Sequence, residues 1–480
     1  MDVDTVGKAA PAPPARSGWD LRLSSAVLLG KVASLASRRL GAGGGTALPG
    51  VLAAWLDSAA LAKLALGLPR GTTLVTGTNG KTTTSRLLAT ILKRAGWQPI
   101  HNRAGANLAS GVTAALLERS NLTGCPDGDS GLFEVDEAVM PRLLGAVRPR
   151  VVVLTNLFRD QLDRYGEIDF VAGLWRTALQ QLPPETTVVL NADDPGIAAL
   201  GRGIRARTVY FGLDTRESGD APVGHAADSK NCPLCATPLR YDTVRYAHVG
   251  TYHCPTGDFE RPPLDLAVTA VSLNGVDSSD VDVAASFGTR RWRFRLPGLY
   301  NVYNLLAAVS GALALDVPID AIDAGVVGFS AAFGRLERIT IGGRTLFVVL
   351  IKNPVGFTEV LRTILQEPGP KHLAIAINDN LADGTDVSWL WDADVEVLAG
   401  RCERVLVGGT RAGDMAVRLK YAGTPTNRVH QVGSAEQLVD DGLAGLPEGG
   451  TLYILPTYTA MIELRTLLSR RGYASYFWED

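Results

Sequence analysis

Eight consecutive residues carry the chemistry of a phosphate cradle: Thr76-Gly77-Thr78-Asn79-Gly80-Lys81-Thr82-Thr83. They stand between a β-branched run, TTLV (72–75), and a helix-forming stretch, TTSRLLATILKRAG (83–96). Glycines let the backbone turn its N–H groups toward an anion, and the N-terminus of the following helix adds positive potential. In such a loop Lys81 reaches the β- and γ-phosphates of a nucleoside triphosphate, and the Thr82 hydroxyl ligates Mg²⁺. The first glycine of the general G-x-x-x-x-G-K-[ST] pattern falls at Val75, so the segment is a narrower GxNGKTT variant. Magnesium needs further oxygen ligands. Glu134, Asp136 and Glu137 offer them at the end of the short apolar run GLF (131–133). Alternation puts Glu134 and Asp136 on one face of an extended segment, with Glu137 expected to cap the next helix. Glu134 is the expected metal ligand.

A second cluster is thiol-based. Cys232-Pro-Leu-Cys235 is followed by Cys254, a spacing that reads as a zinc ribbon lacking one ligand. The expected fourth position is Gly257, with His253 and Asp258 as substitutes. An intact Zn²⁺ ribbon and a metal-free remnant both fit. The other two cysteines, Cys125 in TGCPDGD and Cys402 in AGRCERV, sit in no elbow-like G-x-C-x-G and have no evident nucleophilic role.

The elements that must position these groups are those of an α/β protein. The chain has 480 residues, with 47 Lys+Arg against 49 Asp+Glu, 46% hydrophobic and 20% charged. A net charge of −2 argues against coating nucleic acid or an anionic membrane by bulk electrostatics. Five cysteines are too few for a secreted disulfide scaffold. No stretch is long and apolar enough to span a bilayer, and the N-terminal residues lack a signal-peptide pattern, so a disordered tail (1–22) on a cytoplasmic, thiol-reduced protein is expected. Residues 24–40 have a helical apolar pattern, read as a packing helix rather than a membrane-surface foot. A glycine-rich connector (41–50) follows. Then TTLVTG, RVVVLTN and TTVVLNAD alternate with helical stretches, the signature of a parallel sheet covered on both faces. The pattern breaks between Arg205 and Leu266, as in an insertion, with residues 225–261 its cysteine-rich part. A second α/β series, TLFVVLIK, KHLAIAIND, RVLVGG and TLYILPT, begins after a soft boundary near 332–340.

Taken together, the motifs resemble the Mur ligase superfamily of ATP-dependent carboxylate–amine ligases. TGTNGKTTT is similar to its phosphate loop, EVDE (134–137) to its Mg²⁺ glutamate, and Thr155-Asn156 through Asp160-Gln161-Leu162-Asp163 to its T-N…D-H-L-D segment. VLNADDP (189–195), LPGLYNVYN (296–304) and GRLE (334–337) match later landmarks. Three departures stand out. Gln161 replaces a metal-binding His, helix FVAGLWRTALQQL (170–182) lacks the lysine that many members carbamylate, and LIKNPVGFTEVL (350–361) replaces a D-Y-A-H element. Together with GGGTALPG (43–50), DNLADGTDVSWLWD (379–392), GGTRAGDMAVRLKYAG (408–423) and LPTYTAM (455–461), these resemble the MurT branch, the ligase subunits of lipid II isoglutaminyl synthases.

The resemblance implies a Mur ligase-type P-loop central domain with a small Cys-rich insertion (within 23–335), and a Rossmann-like C-terminal α/β domain (336–480). It implies ATP and Mg²⁺ as ligands, with Gly77, Thr78, Asn79, Gly80, Lys81, Thr82 and Thr83 on the phosphates. Asn301 and Asn304 would lie near the adenine, and Arg335 beside Lys81 on the moving phosphoryl group. The implied reaction is amidation of the D-glutamate α-carboxylate in the lipid II stem peptide, using ammonia from a GatD-like glutamine amidotransferase partner. Asp386, or alternatively Asp383, would orient that partner's catalytic His. An amino-acid-adding or folylpolyglutamate-type ligase is the alternative, and a non-catalytic nucleotide-binding scaffold is the alternative outside the enzyme class.

Overall fold

The computed structural model describes residues 20–39, 47–102, 106–159, 168–215, 227–329 and 336–474. Arg335 and the segment from Asp160 to Asp163 lie outside the described residues, as do the tail and most of the glycine connector.

Three helices come first: α1 (Leu21–Arg39), α2 (Leu48–Leu56) and α3 (Ala60–Ala65). The main sheet then builds from β1 (Thr72–Thr76), β2 (Pro99–His101), β3 (Ser130–Glu134), β4 (Val151–Leu154), β5 (Thr187–Asn191) and β6 (Arg207–Leu213). Interleaved are α4 (Lys81–Arg94), α5 (Ala109–Glu118), α6 (Met140–Val147), α7 (Ile168–Leu179) and the single turn α8 (Pro195–Ala198). A separate hairpin, β7 (Arg240–Tyr246) and β8 (Val249–His253), precedes β9 (Leu266–Asn274), β10 (Ser278–Ala285) and β11 (Gly288–Phe294). Helices α9 (Leu299–Ala314) and α10 (Ile319–Val327) close this part. The nine strands run in the order β11-β10-β9-β6-β5-β4-β1-β3-β2. They are parallel from β2 to β9, with β10 and β11 added antiparallel.

Strands β1, β3, β4 and β5 are buried along their whole length, as parallel strands covered on both faces must be. One face packs Leu87, Leu88, Ile91 and Leu92 of α4 with Val302, Leu305 and Val309 of α9, and the other packs Val112, Leu116, Leu143 and Trp175. Helix α9 is buried from Asn301 to Ala312, and its sequence is accordingly apolar on nearly every side. From β1 the chain first builds outward to β3 and β2, then returns to add β4, β5 and β6 on the other side. The reversal leaves a crevice at the carboxyl end of β1, where ligands bind in open α/β sheets. The phosphate-type loop occupies that position.

The second sheet comprises β12 (Glu337–Ile341), β13 (Arg344–Val348), β14 (Lys371–Ala376), β15 (Cys402–Gly408), β16 (Val429–Gln431) and β17 (Thr451–Pro456). Their order is β12-β13-β17-β14-β15-β16, parallel except for β12. Helices α11 (Pro354–Ile364), α12 (Ala412–Tyr421), α13 (Ala435–Ala444) and α14 (Tyr458–Arg470) flank it. Strand alternation sends Phe347, Leu373, Ile375 and Val407 to the side of Phe357 and Leu361. It sends Leu346, Ala374, Leu406 and Ile454 to the side of Leu438 and Leu464.

Two sequence expectations change. Arg207–Leu213 lies inside the stretch read as an insertion, yet it is a main-sheet strand paired in parallel with β5. Its outer residues are exposed and its inner ones buried, so it lacks the continuous apolar run that marked its neighbours. Helix α1 packs through Leu23, Ala26 and Val27, but Leu28, Val32 and Leu35 of the same apolar pattern are more than half exposed. The pattern is wider than the surface available to cover it.

Asp193, at the end of β5, ties four elements together. Its carboxylate accepts from Arg261 Nε at 2.6 Å, Tyr303 Oη at 2.6 Å and Leu213 N at 2.8 Å, while its carbonyl accepts from Gly250 N at 2.8 Å. Removing one partner of a buried ion pair strands the other without its hydration. Asp193→Ala is expected to cost about 3 kcal/mol, read from chemical denaturation. Asp127→Ala, which breaks an exposed pair with Arg119, is expected to leave the transition where it is.

Candidate functional site

The loop from Gly77 to Gly80 is built by backbone geometry. Gly77 (φ 133°) and Gly80 (φ 86°) occupy the left-handed region, where a side chain is strained. A Cβ at Gly77 would sit 2.2 Å from Thr155 Oγ1, and one at Gly80 would sit 1.9 Å from Asn304 Oδ1. The segment that follows β4 holds the loop. Asn156 Oδ1 accepts from Asn79 N at 2.8 Å, and Asn156 Nδ2 and Thr155 Oγ1 donate to Asn79 O at 3.0 and 2.8 Å. Thr78 Oγ1 donates to Phe158 O and accepts from Phe158 N, both at 3.0 Å. The Thr155-Asn156 pair therefore shapes the loop.

Lys81 and Thr82 open helix α4. Lys81 is buried and donates to Gly77 O at 2.6 Å and to Glu137 Oε1 at 3.0 Å. The Thr82 hydroxyl donates to Glu134 Oε2 at 2.7 Å. Parallel pairing of Val75 with Glu134 brings that carboxylate beside the loop, and Asn102 clamps its backbone through Oδ1 and Nδ2. A hydroxyl and a carboxylate touching each other are hard oxygen donors, the kind Mg²⁺ selects. Glu137 departs from expectation: it caps no helix, since α6 begins at Met140 after Val139 without a side-chain cap. It instead forms the buried ion pair with Lys81, and the indole of Trp175 donates to its carbonyl at 2.8 Å. Only the pairing of distant segments could reveal that role.

A cleft opens above the loop, lined by Asn79, Gly80, Asn301, Asn304, Gly356 and Glu359. Asn301 and Asn304 stand on the first turns of α9, where Asn304 Nδ2 donates to Asn301 Oδ1 and Asn301 Nδ2 to Pro297 O. Both sheets contribute, because Asn353, the N-cap of α11, bonds its Nδ2 to Asn79 Oδ1 at 2.8 Å. The segment LIKNPVGFTEVL thus forms the roof of the cleft, and its Glu359 was not singled out from sequence. Burial pushes the Glu359 carboxyl up to about 7, partly offset by Arg362 at 2.9 Å.

Of the two aspartates in the loop after β14, Asp383 is buried, and its carboxylate accepts from the Thr459 N–H and hydroxyl at the start of α14. Asp386 is partly exposed, and its two oxygens accept from Ser388 N at 2.8 Å and Ser388 Oγ at 2.9 Å. Leu381 and Trp391 of the same loop and Tyr421 of α12 are 85%, 52% and 72% exposed. The rings of Trp391 and Tyr421 lie 5.8 Å apart. This is an apolar surface around one partly exposed carboxylate.

The sulfur atoms of Cys232, Cys235 and Cys254 lie within 4.8 Å of one another. Hydroxyls of Thr237 and Thr256 hold the Cys235 thiol down to about 6. Neither expected substitute joins them. His253 faces Asp242 at 3.5 Å, and the Asp258 carboxylate accepts from Thr256 Oγ1 at 2.8 Å. Among the described residues the cluster has three ligands, and Gly257, with φ 78°, turns the chain where a fourth would stand. Cys402 is buried in the second core, which pushes its thiol up to about 11, and it is no candidate nucleophile.

A phosphate cradle at the switch point of one parallel sheet, roofed by a second α/β layer, defines a Mur-type ligase. The family model of the Mur ligase middle domain matches residues 75–238, and that of the MurT ligase C-terminal region matches 350–461. The chain is 36% identical to the lipid II isoglutaminyl synthase (glutamine-hydrolyzing) subunit MurT of Streptococcus pneumoniae, over 94% of this chain and 98% of that one. It is 35% identical to the subunit of the same name from Staphylococcus aureus, over 84% and 88%. Among solved structures, a type C pseudomurein peptide ligase from Methanothermus fervidus superposes with a TM-score of 0.63 at 21% identity, covering 83% of this chain and 78% of that one. The chain belongs to the MurT family.

Because Glu359 titrates near 7 in the folded chain rather than near 4.5, folding favours its protonated form. Its contribution is complete below about pH 4.5 and is lost as pH rises through 7. Glu359→Gln, which stays neutral, is expected to gain stability relative to the parent between pH 5 and pH 8 in thermal melts.

Proposed function

We propose that this chain is the ligase subunit that amidates the α-carboxylate of D-glutamate in the lipid II stem peptide, giving D-isoglutamine. The observation that carries the reading is the buried Lys81 beside the touching Thr82–Glu134 pair, at the mouth of a cleft that both sheets line. It is supported by full-length similarity to subunits named for that synthase. In this reading residues 23–335 form the nucleotide-binding unit, with 225–261 its cysteine-rich insertion, and 336–480 form the MurT-type unit.

A carboxylate is a poor electrophile because its charge is delocalised over both oxygens. Attack of one oxygen on the γ-phosphorus of ATP expels ADP and yields an acyl phosphate. Ammonia then adds to the acyl carbon, and the tetrahedral adduct expels inorganic phosphate and a proton, leaving the amide. The N–H groups of the Gly77–Lys81 turn and the Lys81 ammonium would oppose the phosphate charge, as preorganised donors that need no reorientation during transfer. Phosphate oxygens would compete with Glu137 for Lys81. Thr82 and Glu134 would hold Mg²⁺, which neutralises charge on the triphosphate. Asn301 and Asn304 are assigned to the nucleotide end of the cleft, and Arg335 to the transferring phosphoryl group on the strength of the family motif.

Ammonia comes from a partner in this reading, since neither Cys125 nor Cys402 has the setting of a glutaminase nucleophile. Asp386 is preferred over Asp383 as the residue that orients the partner's histidine. Asp383 is buried against Thr459 at the start of α14, whereas Asp386, held by Ser388 of its own loop, is partly exposed and lies within the Leu381–Trp391 surface suited to docking a GatD-like subunit. Lipid II as substrate brings the chain to the inner face of the membrane. Cys232, Cys235 and Cys254 would hold a zinc ion as a structural staple. Mass spectrometry of the native protein is expected to find near-stoichiometric zinc, lost when the three cysteines are replaced by serine.

Lys81→Ala is expected to lower amidation at least a hundredfold with complex formation intact. An unaffected rate would favour the scaffold reading. In the complex, Asp386→Asn is expected to abolish glutamine hydrolysis while amidation with added ammonium persists. Asp383→Asn should act through stability instead, and retention of glutaminase activity by both variants would sink the assignment.

A further inference from the structure

The cysteine-rich insertion stands apart from the main sheet, yet its inner end reaches the cleft. Strands β7 and β8 pair antiparallel, with Tyr246 opposite Val249, so Ala247 and His248 form a two-residue turn. All three residues at this tip are buried: Tyr246 is 3%, Ala247 8% and His248 0% exposed. An exposed insertion would ordinarily end in a polar, solvated turn. Ala247 also has φ 47°, a conformation that glycine usually supplies at the first loop position of such turns. Non-glycine residues persist there only where surrounding contacts over-determine the backbone.

Those contacts come from the nucleotide side of the molecule. The Tyr246 ring meets Tyr303 of α9 edge-on, with centroids 5.5 Å apart, and Phe158 at 6.0 Å. Phe158 is the residue whose backbone pins Thr78 of the phosphate loop, and its ring lies 4.7 Å from that of His248. His248 Nδ1 accepts from Asp228 N at 3.1 Å, and Tyr241 Oη donates to His248 O at 3.0 Å, which fixes the turn from behind. Gly250 N and Tyr252 Oη anchor the next strand to the carbonyls of Asp193 and Ala192. Tyr246 is one of the residues lining the cleft itself, with Phe158, Asn301 and Asn304.

We infer that the cysteine-rich insertion is a working wall of the nucleotide site, with Tyr246 as the aromatic surface against which the purine base of the bound nucleotide packs. The inference rests on reading the cleft as the nucleotide site. The carboxyl end of β1 handles the phosphates, and the asparagine amides of α9 can hydrogen-bond a base edge but offer no flat apolar face. Tyr246 and Phe158 supply one. Base–aromatic contact is worth about 1–3 kcal/mol, or about tenfold or more in affinity. The insertion thereby has a function besides its thiol cluster: it carries a base-contacting side chain on a hairpin whose outer end the three cysteines gather.

The test compares two probes on the full-length chain bound to its partner subunit, titrated calorimetrically with Mg²⁺ present. One probe is a non-hydrolysable ATP analogue, and the other is inorganic tripolyphosphate, which has no base. Tyr246→Ala is expected to weaken the ATP analogue about tenfold and to leave tripolyphosphate unchanged. Tyr246→Phe, which keeps the ring, should stay within about twofold for both, because stacking needs no hydroxyl. Unaltered ATP-analogue affinity in Tyr246→Ala overturns the inference. So does an equal loss for both probes, which would mean that the hairpin only props the phosphate loop. Lys81→Ala separates the underlying reading: it should weaken both probes, and undiminished binding of both would remove the nucleotide site and this inference with it.

Discussion

A buried ammonium group must be surrounded by acceptors, and the geometry around Lys81 follows from that requirement. Its side chain is 9% exposed, with Glu137 Oε1 at 3.0 Å and the carbonyl of Gly77 at 2.6 Å. Those acceptors exist only because the chain turns sharply between β1 and α4, through two glycines at positive φ. The turn in turn depends on Asn156 and Thr155 holding Asn79 from the segment just beyond β4. Glu137 reaches the same point because β3 pairs alongside β1. The Lys81–Glu137 pair thus ties the loop after β1 and the start of α4 to the segment that follows β3. Breaking such a pair costs more than forming it gains, which makes the arrangement specific rather than merely stabilising.

Outward from Lys81 the site is assembled in layers. The Thr82–Glu134 pair lies at the start of α4, and α9 lines the cleft with its two asparagines. The second sheet enters through Asn353, whose side chain caps α11 and bonds to Asn79 of the loop. That amide pair links the phosphate loop to the start of the helix carrying Glu359. The same second sheet carries the Asp383–Trp391 loop, one aspartate buried against α14 and the other partly exposed and held by Ser388.

Much of the site was legible from residue order. The GxNGKTT loop, the Thr82–Glu134 pair, the asparagines of LPGLYNVYN and the three cysteines all come together as their motifs imply, because each is a local pattern with a local mechanism. Glu137, Glu359, Asn353 and Tyr246 were not legible in their roles. Each acts through a neighbour distant in sequence: Lys81 for Glu137, Asn79 for Asn353, Phe158 and Tyr303 for Tyr246. The family motif pointed to Asp386 ahead of Asp383, but residue order did not show that Asp383 is the buried one, since both lie in one polar loop and only Asp383 is approached by Thr459. The missed strand Arg207–Leu213 and the exposed Leu28, Val32 and Leu35 have a related cause, because how many faces of an element are covered depends on what packs against it.

By itself, the sequence determined the period of each element, the turns that glycine permits, the donor types available and the family to which their order belongs. Those properties reside in single residues and short spacings, which any conformation of the chain carries. The tertiary structure alone decided which charges meet in the interior, which of two aspartates is buried and what lines the cleft. Burial and pairing are properties of surfaces that exist only once distant segments have packed.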